Sequence, residues 1–427
     1  MTRIDILSNA DNVGGASRAA YRLYRTLLSA DIKTKMIVCE KVTDDWAVTG
    51  PSTGYEKAKR LIRPKIARRF MRLQKTTNVN PHSANILPSN MAAIINKSDA
   101  DIVNLHWVGG ETMSIEDLGR IRKPIVWTFH DMWAFCGSEH FADEGPDARW
   151  RTGYYRDNRP ADSSGLDIDR YTWNRKRHAW KNPVHIVTPS RWLADCVKRS
   201  SLMKDWPVSV IPNVLDTNIF KPLDRLYSRH VLNLPSDKKI ILFGAMGGGR
   251  DFRKGYDLLL DALTLFSAGQ KDILCVVFGQ SEPEHSSGIP FPIKWMGHIG
   301  DDATLALLYS AADVMIIPSR QENLPQSGTE AHACGCPVVA FNCTGLPDVV
   351  DHRVTGYLAE PYKTDDLAHG IAWVLGDKLR HTNLGLAARK KAENLWSART
   401  VIPAYLNVYE SAKLTNHTVS LRNLRAD

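Results

Sequence analysis

The sequence predicts an α/β chain built from two doubly wound domains with parallel sheets. Three observations carry this. Short apolar runs alternate with helical patterns along the whole chain, the ordering that produces parallel sheets. The unit strand, glycine loop, helix occurs twice, at residues 3–30 and again at 239–266. Between the repeats, NVLDTNIFKP at residues 213–222 reads as a linker. A chain of 427 residues has room for two or three such domains.

The elements follow in order. Residues 3–8 are strand-like, 11–15 form a glycine-containing loop and 17–30 read as a helix. A strand at 35–39 precedes a basic segment, and apolar runs follow at 101–107, 124–130, 185–189 and 208–212. Residues 135–182 break the pattern. They are rich in Trp, Tyr, Arg and Asp, with little periodicity before 171–180, and a long irregular insertion in a compact domain is often functional. The second half restarts with a strand at 239–245 and the glycine cluster GAMGGGRDFRKG. A helix at 256–266, strands at 273–279 and 293–296, a helix at 302–312 and a strand at 314–318 come next. Pro325 suits the first turn of a helix and Gly335 its C′ position, which sets a helix at 325–334 before a strand at 337–341. A last helix is expected near 397–413.

Composition is that of an ordinary soluble globular protein, 43% hydrophobic and 24% charged. The N-terminus enters a strand pattern at once and lacks the apolar core of a signal peptide. No apolar run approaches the roughly 18 residues of a spanning helix. Seven scattered cysteines without a CxxC pair suggest reduced cytoplasmic thiols and argue against a zinc site. The net charge of +9 is concentrated at residues 57–75, KAKRLIRPKIARRFMRLQK, with nine Lys and Arg and no acid. This segment reads first as a solvated basic face and second as an amphipathic element on an anionic membrane, with Leu61, Ile62, Ile66, Phe70, Met71 and Leu73 as its apolar side. A nucleic-acid patch ranks last, because no recognised nucleic-acid module accompanies it. Pro64 is expected to break or kink any helix here.

The segment SRQENLPQSGTEAHACGCPVVAF, residues 319–341, carries two glutamates eight positions apart. Glu322 falls in the loop before the helix and Glu330 within it, so they do not form one stripe; the helical repeat separates them by about 80°. The loop lies at the crevice end of the sheet, and the helix start offers free N–H groups to an anion. A carboxylate on each side of an anion site suits a sugar nucleotide. Two unrelated surface acids would give the same spacing by chance.

In its context this segment resembles the signature of the retaining glycosyltransferases of family 4, which have the two-domain GT-B fold. That family has two glutamates separated by seven residues, then a small-residue helix and a GxPVVA strand, here Glu322, Glu330 and residues 335–340. MGHIGDDATLALLYSAADVMIIPS leads into it as in family members, and TFHDMWAF is similar to the subgroup that builds bacterial exopolysaccharide, colanic acid and O-antigen lipopolysaccharide.

The resemblance implies two Rossmann-like domains facing across a cleft. Residues 1–215, completed by the helix at 397–415, would form the acceptor domain, and 216–396 the nucleotide-sugar domain. Trp396 would sit where the last helix crosses back. Glu322 would touch the donor sugar, Glu330 the ribose, and the backbone of Asn323 and Leu324 the diphosphate. Lys254 in RKGYDLLL matches the family lysine that neutralises the leaving diphosphate. The companion arginine is expected five positions earlier, where Gly249 stands; Arg250 is favoured, with Arg253 as the alternative. Two such cations would make a metal unnecessary. Gly14 and Gly15 would line the cleft, since a missing Cβ lets a ligand approach the backbone; a simple turn explains them equally. His130, which as a lone strand-end histidine reads as structural, matches the family histidine that hydrogen-bonds the donor sugar. His106 also faces the crevice end, and Asp131 is expected to cap a following helix. Among Trp107, Trp127, Trp133, Trp150, Trp173 and Trp180, most read as core, with one or two left for stacking on acceptor sugar.

The implied function is retaining transfer of a hexosyl group from a UDP- or GDP-linked sugar to a hydroxyl of a lipid-linked glycan. The implied place is the cytoplasm, peripheral to the inner membrane face through residues 57–75. No metal, cofactor or nucleic acid is expected. A GT-B sugar-nucleotide 2-epimerase, which needs no acceptor, is the enzymatic alternative. An inactive sugar-binding relative is the other; Glu322, Glu330, Lys254 and His130 occurring together argue against it.

Overall fold

The computed structural model describes residues 2–244, 251–283 and 288–423, with side chains through 415. The chain forms two compact units, Met1–Ile211 with the segment from Ile402, and Pro212–Val401. No helix among the described residues is long and apolar enough to cross a membrane.

The first unit holds a seven-stranded sheet. Its spatial order is Val48–Thr49, Thr34–Glu40, Ile4–Ala10, Ile102–Leu105, Ile125–Thr128, His185–Thr188 and Val208–Val210. Every pairing is parallel. The second unit's six strands run Ile293–Trp295, Ile273–Phe278, Lys239–Gly244, Val314–Ile317, Val338–Phe341 and Gly356–Ala359, again all parallel. Strands covered by helices on both faces read as continuous apolar runs, which is why VMII and VVAF are wholly buried. In each sheet the strand order reverses beside the first strand of the unit, the Rossmann-like arrangement that opens a ligand crevice at the carboxyl ends of the strands. Those ends carry residues 11–15, 106–107 and 129–131 in the first unit, and 251–255 and 318–325 in the second.

The first unit is completed by the helix Ala398–Asn423 from Ile402 onward. Tyr409 donates its hydroxyl to Asn104 Oδ1 at 2.8 Å, and the Tyr405 hydroxyl lies 3.2 Å from Thr128 Oγ1. Trp396, just before it, is buried in the second unit and stacks on His332 with ring centroids 6.0 Å apart.

Three expectations need correction. Residues 54–71 form one helix through Pro64 rather than breaking there. A Thr53–Glu56 capping box starts it, and the Arg63 guanidinium binds the carbonyls of Leu87, Pro88 and Glu111, so tertiary contacts outweigh the bond the proline removes. The first helix is Gly14–Ser29, so both glycines lie in its opening turn and not in a preceding loop. Gly14 takes φ +77, a left-handed entry that glycine makes without strain. No helix follows Asp131; its Oδ1 instead accepts from the Trp133 amide at 2.9 Å, closing a turn. Of the six tryptophans, all but the half-buried Trp107 are core. The irregular region is held from within by Lys176, fully buried, which donates to the carbonyls of Trp133, Cys136 and Gly137 and sits 3.8 Å from the Trp133 ring centroid.

Close backbone approach at the second unit's crevice end makes a prediction. Gly255 has φ +67, and a Cβ there would overlap the Pro318 carbonyl oxygen. Gly269 has φ +78 but open space around it. Gly255→Ala should therefore cost about 3 kcal/mol of stability and Gly269→Ala about 1 kcal/mol, read as urea unfolding midpoints of the two variants.

Candidate functional site

Glu322 is the centre of the second unit's site. The strand Val314–Ile317 delivers the chain to the crevice end, and Pro318 and Ser319 turn it back toward the helix Gln326–Ala333. The carboxylate is 8% exposed. Lys254 Nζ donates to its Oε1, Ser319 Oγ donates to the same oxygen at 3.2 Å, and Arg253 Nη1 lies 3.8 Å from Oε2. Burial alone would raise its pKa, but the Lys254 and Arg253 charges outweigh burial and hold the group below the usual glutamate range. Its backbone is equally fixed: the Glu322 N–H donates to Thr344 Oγ1 at 3.0 Å, and its carbonyl accepts from Gly345 N at 2.9 Å. A Cβ at Gly345 would overlap the Asn323 carbonyl oxygen, so glycine is required for the approach.

The cations come from a short 3-10 turn, Phe252–Lys254, capped by Asp251. Asp251 also pairs with the Arg253 guanidinium at 2.8 Å, and Arg253 donates to the Gln321 carbonyl at 3.1 Å. Arg253 is thus locked by both loops, while Lys254 is half-exposed. Arg250, the favoured companion, lies outside the described residues together with Gly249. Asn323 and Leu324 are buried just before a helix whose N-cap, Pro325, makes no side-chain cap bond. The first N–H groups of that helix carry partial positive charge and suit an anion. Pro325 is thus the cap and not the first helical residue; Gly335, at φ +73, ends the helix. Glu330 is not brought to Glu322's partners: it is 2% exposed inside the unit and accepts from the Tyr309 hydroxyl at 2.8 Å.

The first unit carries its own polar cluster at the strand ends. His130 Nε2 lies 2.9 Å from His106 Nδ1. Burial lowers both pKa values, that of His130 to about 4. Asp131 accepts from Trp107 Nε1 at 2.8 Å and contacts His140 Nδ1 at 2.6 Å. Burial opposes its charge, but His140 and these hydrogen bonds hold its carboxyl below the ordinary value. Gly14 and Gly15 are exposed beside Asp11, whose two oxygens accept from the amides of Val42 and Thr43, each at 2.9 Å.

Sequence reasoning missed Tyr309, Ser319, Thr344, Gly345, Asp11 and His140. Only Asp11 carried a local signal, an acid directly between the first strand and the two glycines. Ser319 and His140 lie close in sequence to Glu322 and Asp131 but carried no such signal, and Tyr309 and Thr344 come from 21 and 22 positions away, with Gly345 beside Thr344.

Two family models together match most of the chain. The model of the glycosyl transferases group 1 matches residues 224–391, and that of Glycosyltransferase Family 4 matches residues 13–219. The D-inositol 3-phosphate glycosyltransferase of Saccharomonospora viridis is 31% identical over 223 residues, 48% of this chain and 50% of that protein. The chain thus spans about half the length of the first curated relatives it matches. Among solved structures, Alr3699/HepE of Anabaena in complex with UDP and glucose superposes with a TM-score of 0.63 at 16% identity, over 96% of this chain and 100% of that one. The sucrose-phosphate synthase of Thermosynechococcus elongatus gives 0.61 at 18% identity, over 100% of both. These two likenesses are of fold.

The depressed pKa of His130 predicts an acid-side loss of stability. Below about pH 6.5 the unfolded ring binds a proton that the folded ring refuses until about pH 4. Stability therefore falls as pH drops through that window. The loss is about 2 kcal/mol, less than the full shift because solvent reaches the half-buried ring. The urea midpoint of the wild type should fall more steeply between those pH values than that of His130→Asn.

Proposed function

We propose that this chain, which belongs to the group 1 glycosyltransferases of family 4 and has their GT-B fold, moves a hexosyl group from a nucleoside-diphosphate sugar to a glycan hydroxyl with retained anomeric configuration. The observation that carries the reading is Glu322, ionised and buried between Lys254 and Arg253 beside a helix whose N-cap, Pro325, makes no side-chain cap bond. Glu322 orients the donor sugar. Lys254, Arg253 and the amides of Asn323 and Leu324 take the diphosphate, whose charge grows as its bond to the anomeric carbon breaks. Arg250 is a further candidate cation from sequence alone. Glu330 holds the ribose; His130 and the Gly14–Gly15 turn stay candidates from the family resemblance alone. The acceptor oxygen bonds to the anomeric carbon as the diphosphate oxygen leaves, and the acceptor proton passes to that diphosphate. The two cations supply the countercharge that a metal would otherwise provide. A UDP or GDP donor fits; the solved complex of HepE with UDP and glucose supports the first.

The acceptor in this reading is a lipid-linked oligosaccharide of bacterial surface polysaccharide synthesis, met at the inner membrane face. The helix Gly54–Met71 supports it. Leu61, Ile62 and Ile66 are exposed, and among the described residues the segment's one recorded acidic ion-pair partner is Glu40, on Arg60. Each basic group near anionic lipid contributes about 1 kcal/mol.

One assay tests the whole reading: UDP- and GDP-hexoses are offered with a polyprenyl-diphosphate-linked glycan in phosphatidylglycerol or phosphatidylcholine vesicles. Transfer should retain the α configuration by proton NMR and run faster on phosphatidylglycerol. Glu322→Gln and Lys254→Ala should each lower kcat/KM by roughly a hundredfold or more. An inverted product, or epimerised donor without acceptor, would sink the proposal.

A further inference from the structure

The two histidines at the strand ends of the first unit share one hydrogen bond, and their surroundings decide which ring donates it. His106 is 2% exposed, with its backbone N–H on the Leu7 carbonyl at 2.8 Å and its own carbonyl accepting from Trp127 Nε1 at 3.1 Å. The rings are nearly coplanar, 24° between planes and 5.2 Å between centroids, as an in-plane N–H to N bond requires. Burial keeps both rings neutral at physiological pH, so each carries one proton and one proton lies between them. The other nitrogen of His106, Nε2, is buried and has no hydrogen-bond partner among the described residues. An orphaned buried N–H is rarer and costlier than an unsatisfied acceptor. The proton of His106 therefore sits on Nδ1.

We infer that His106 fixes the tautomer of His130: the Nδ1–H of His106 donates to His130 Nε2, and His130 carries its own proton on Nδ1. Both rings are then Nδ1–H tautomers, the less populated form of free neutral imidazole side chains in water. The consequence rests on the proposed transfer reaction. With its Nε2 lone pair engaged by His106 and Nδ1 protonated, His130 has no open lone pair with which to take a proton. In the proposed transfer, His130 is therefore not the base that takes the acceptor proton. His106 is the positioning residue that imposes this.

Long-range proton–nitrogen correlation spectra of the full chain labelled with 15N-histidine test the inference without any substrate. His130 and His106 signals are assigned by their loss in His130→Asn and His106→Leu. At pH 7.5 both rings should show a pyrrole-type Nδ1 and a pyridine-type Nε2. A protonated Nε2 on either ring overturns the inference, whatever the enzyme's reaction. His106→Asn keeps an N–H donor near the place of Nδ1, and His106→Leu removes it. The Asn variant should preserve the His130 tautomer and stay within about threefold of wild-type kcat/KM, and the Leu variant should lose the tautomer and roughly tenfold in kcat/KM. A Leu variant with His130 still protonated on Nδ1 would also overturn it, and if that variant fails to fold the wild-type spectrum decides.

Discussion

A carboxylate as buried as Glu322 is tolerated only where opposite charge and hydrogen bonds meet it, and the geometry of the second unit follows from that constraint. Lys254 and Arg253 supply the charge, so the turn Phe252–Lys254 must reach the loop after Val314–Ile317. That reach brings residue 255 against the Pro318 carbonyl, which demands glycine. On the other side Thr344 and Gly345 clamp the Glu322 backbone, and the Asn323 carbonyl leaves no room for a Cβ at 345. The same contacts that neutralise the acid gather two cations at one end of the sheet, next to a helix whose N-cap, Pro325, makes no side-chain cap bond. A diphosphate would find its countercharge already assembled.

The first unit treats its buried titratable groups in two ways. Asp131 is kept ionised by His140, Trp107 and the Trp133 amide. The His106–His130 pair is kept neutral, because burial opposes a charge there. Placing a fixed anion one residue from a fixed neutral donor gives this strand end a defined pattern of charge and hydrogen bonding before any ligand arrives. Lys176 and its three carbonyls hold the turn that follows, which explains why an irregular region forms a packed part of the unit.

The architecture was legible because parallel strands buried on both faces leave unbroken apolar runs, and VMII and VVAF stand out between polar turns. Glu322, Lys254 and the Pro325–Gly335 helix were legible for a local reason: each sits at a fixed offset from a strand end. What the sequence concealed depends on distance along the chain. The partnership of Tyr309 with Glu330, or of Thr344 with Glu322, spans 21 or 22 positions and has no local mark. Pro64 misled because its rule is local, whereas Arg63 anchors the helix to three carbonyls 24 to 48 residues away. The tryptophans read as a sugar-stacking cluster in part, and all but Trp107 proved to be core, since large aromatic area is most effective where water is excluded.

The central claim is that Glu322 holds Lys254 and Arg253 ready for a nucleoside diphosphate. Isothermal titration of UDP and GDP into the wild type, Lys254→Met and the double variant Lys254→Met/Glu322→Gln tests it most directly. The double variant removes the carboxylate that the single one would leave uncompensated. The account predicts that one nucleotide binds the wild type and that both variants bind it at least about tenfold more weakly, the worth of a charge-assisted hydrogen bond. A double variant that binds as tightly as the wild type would contradict it.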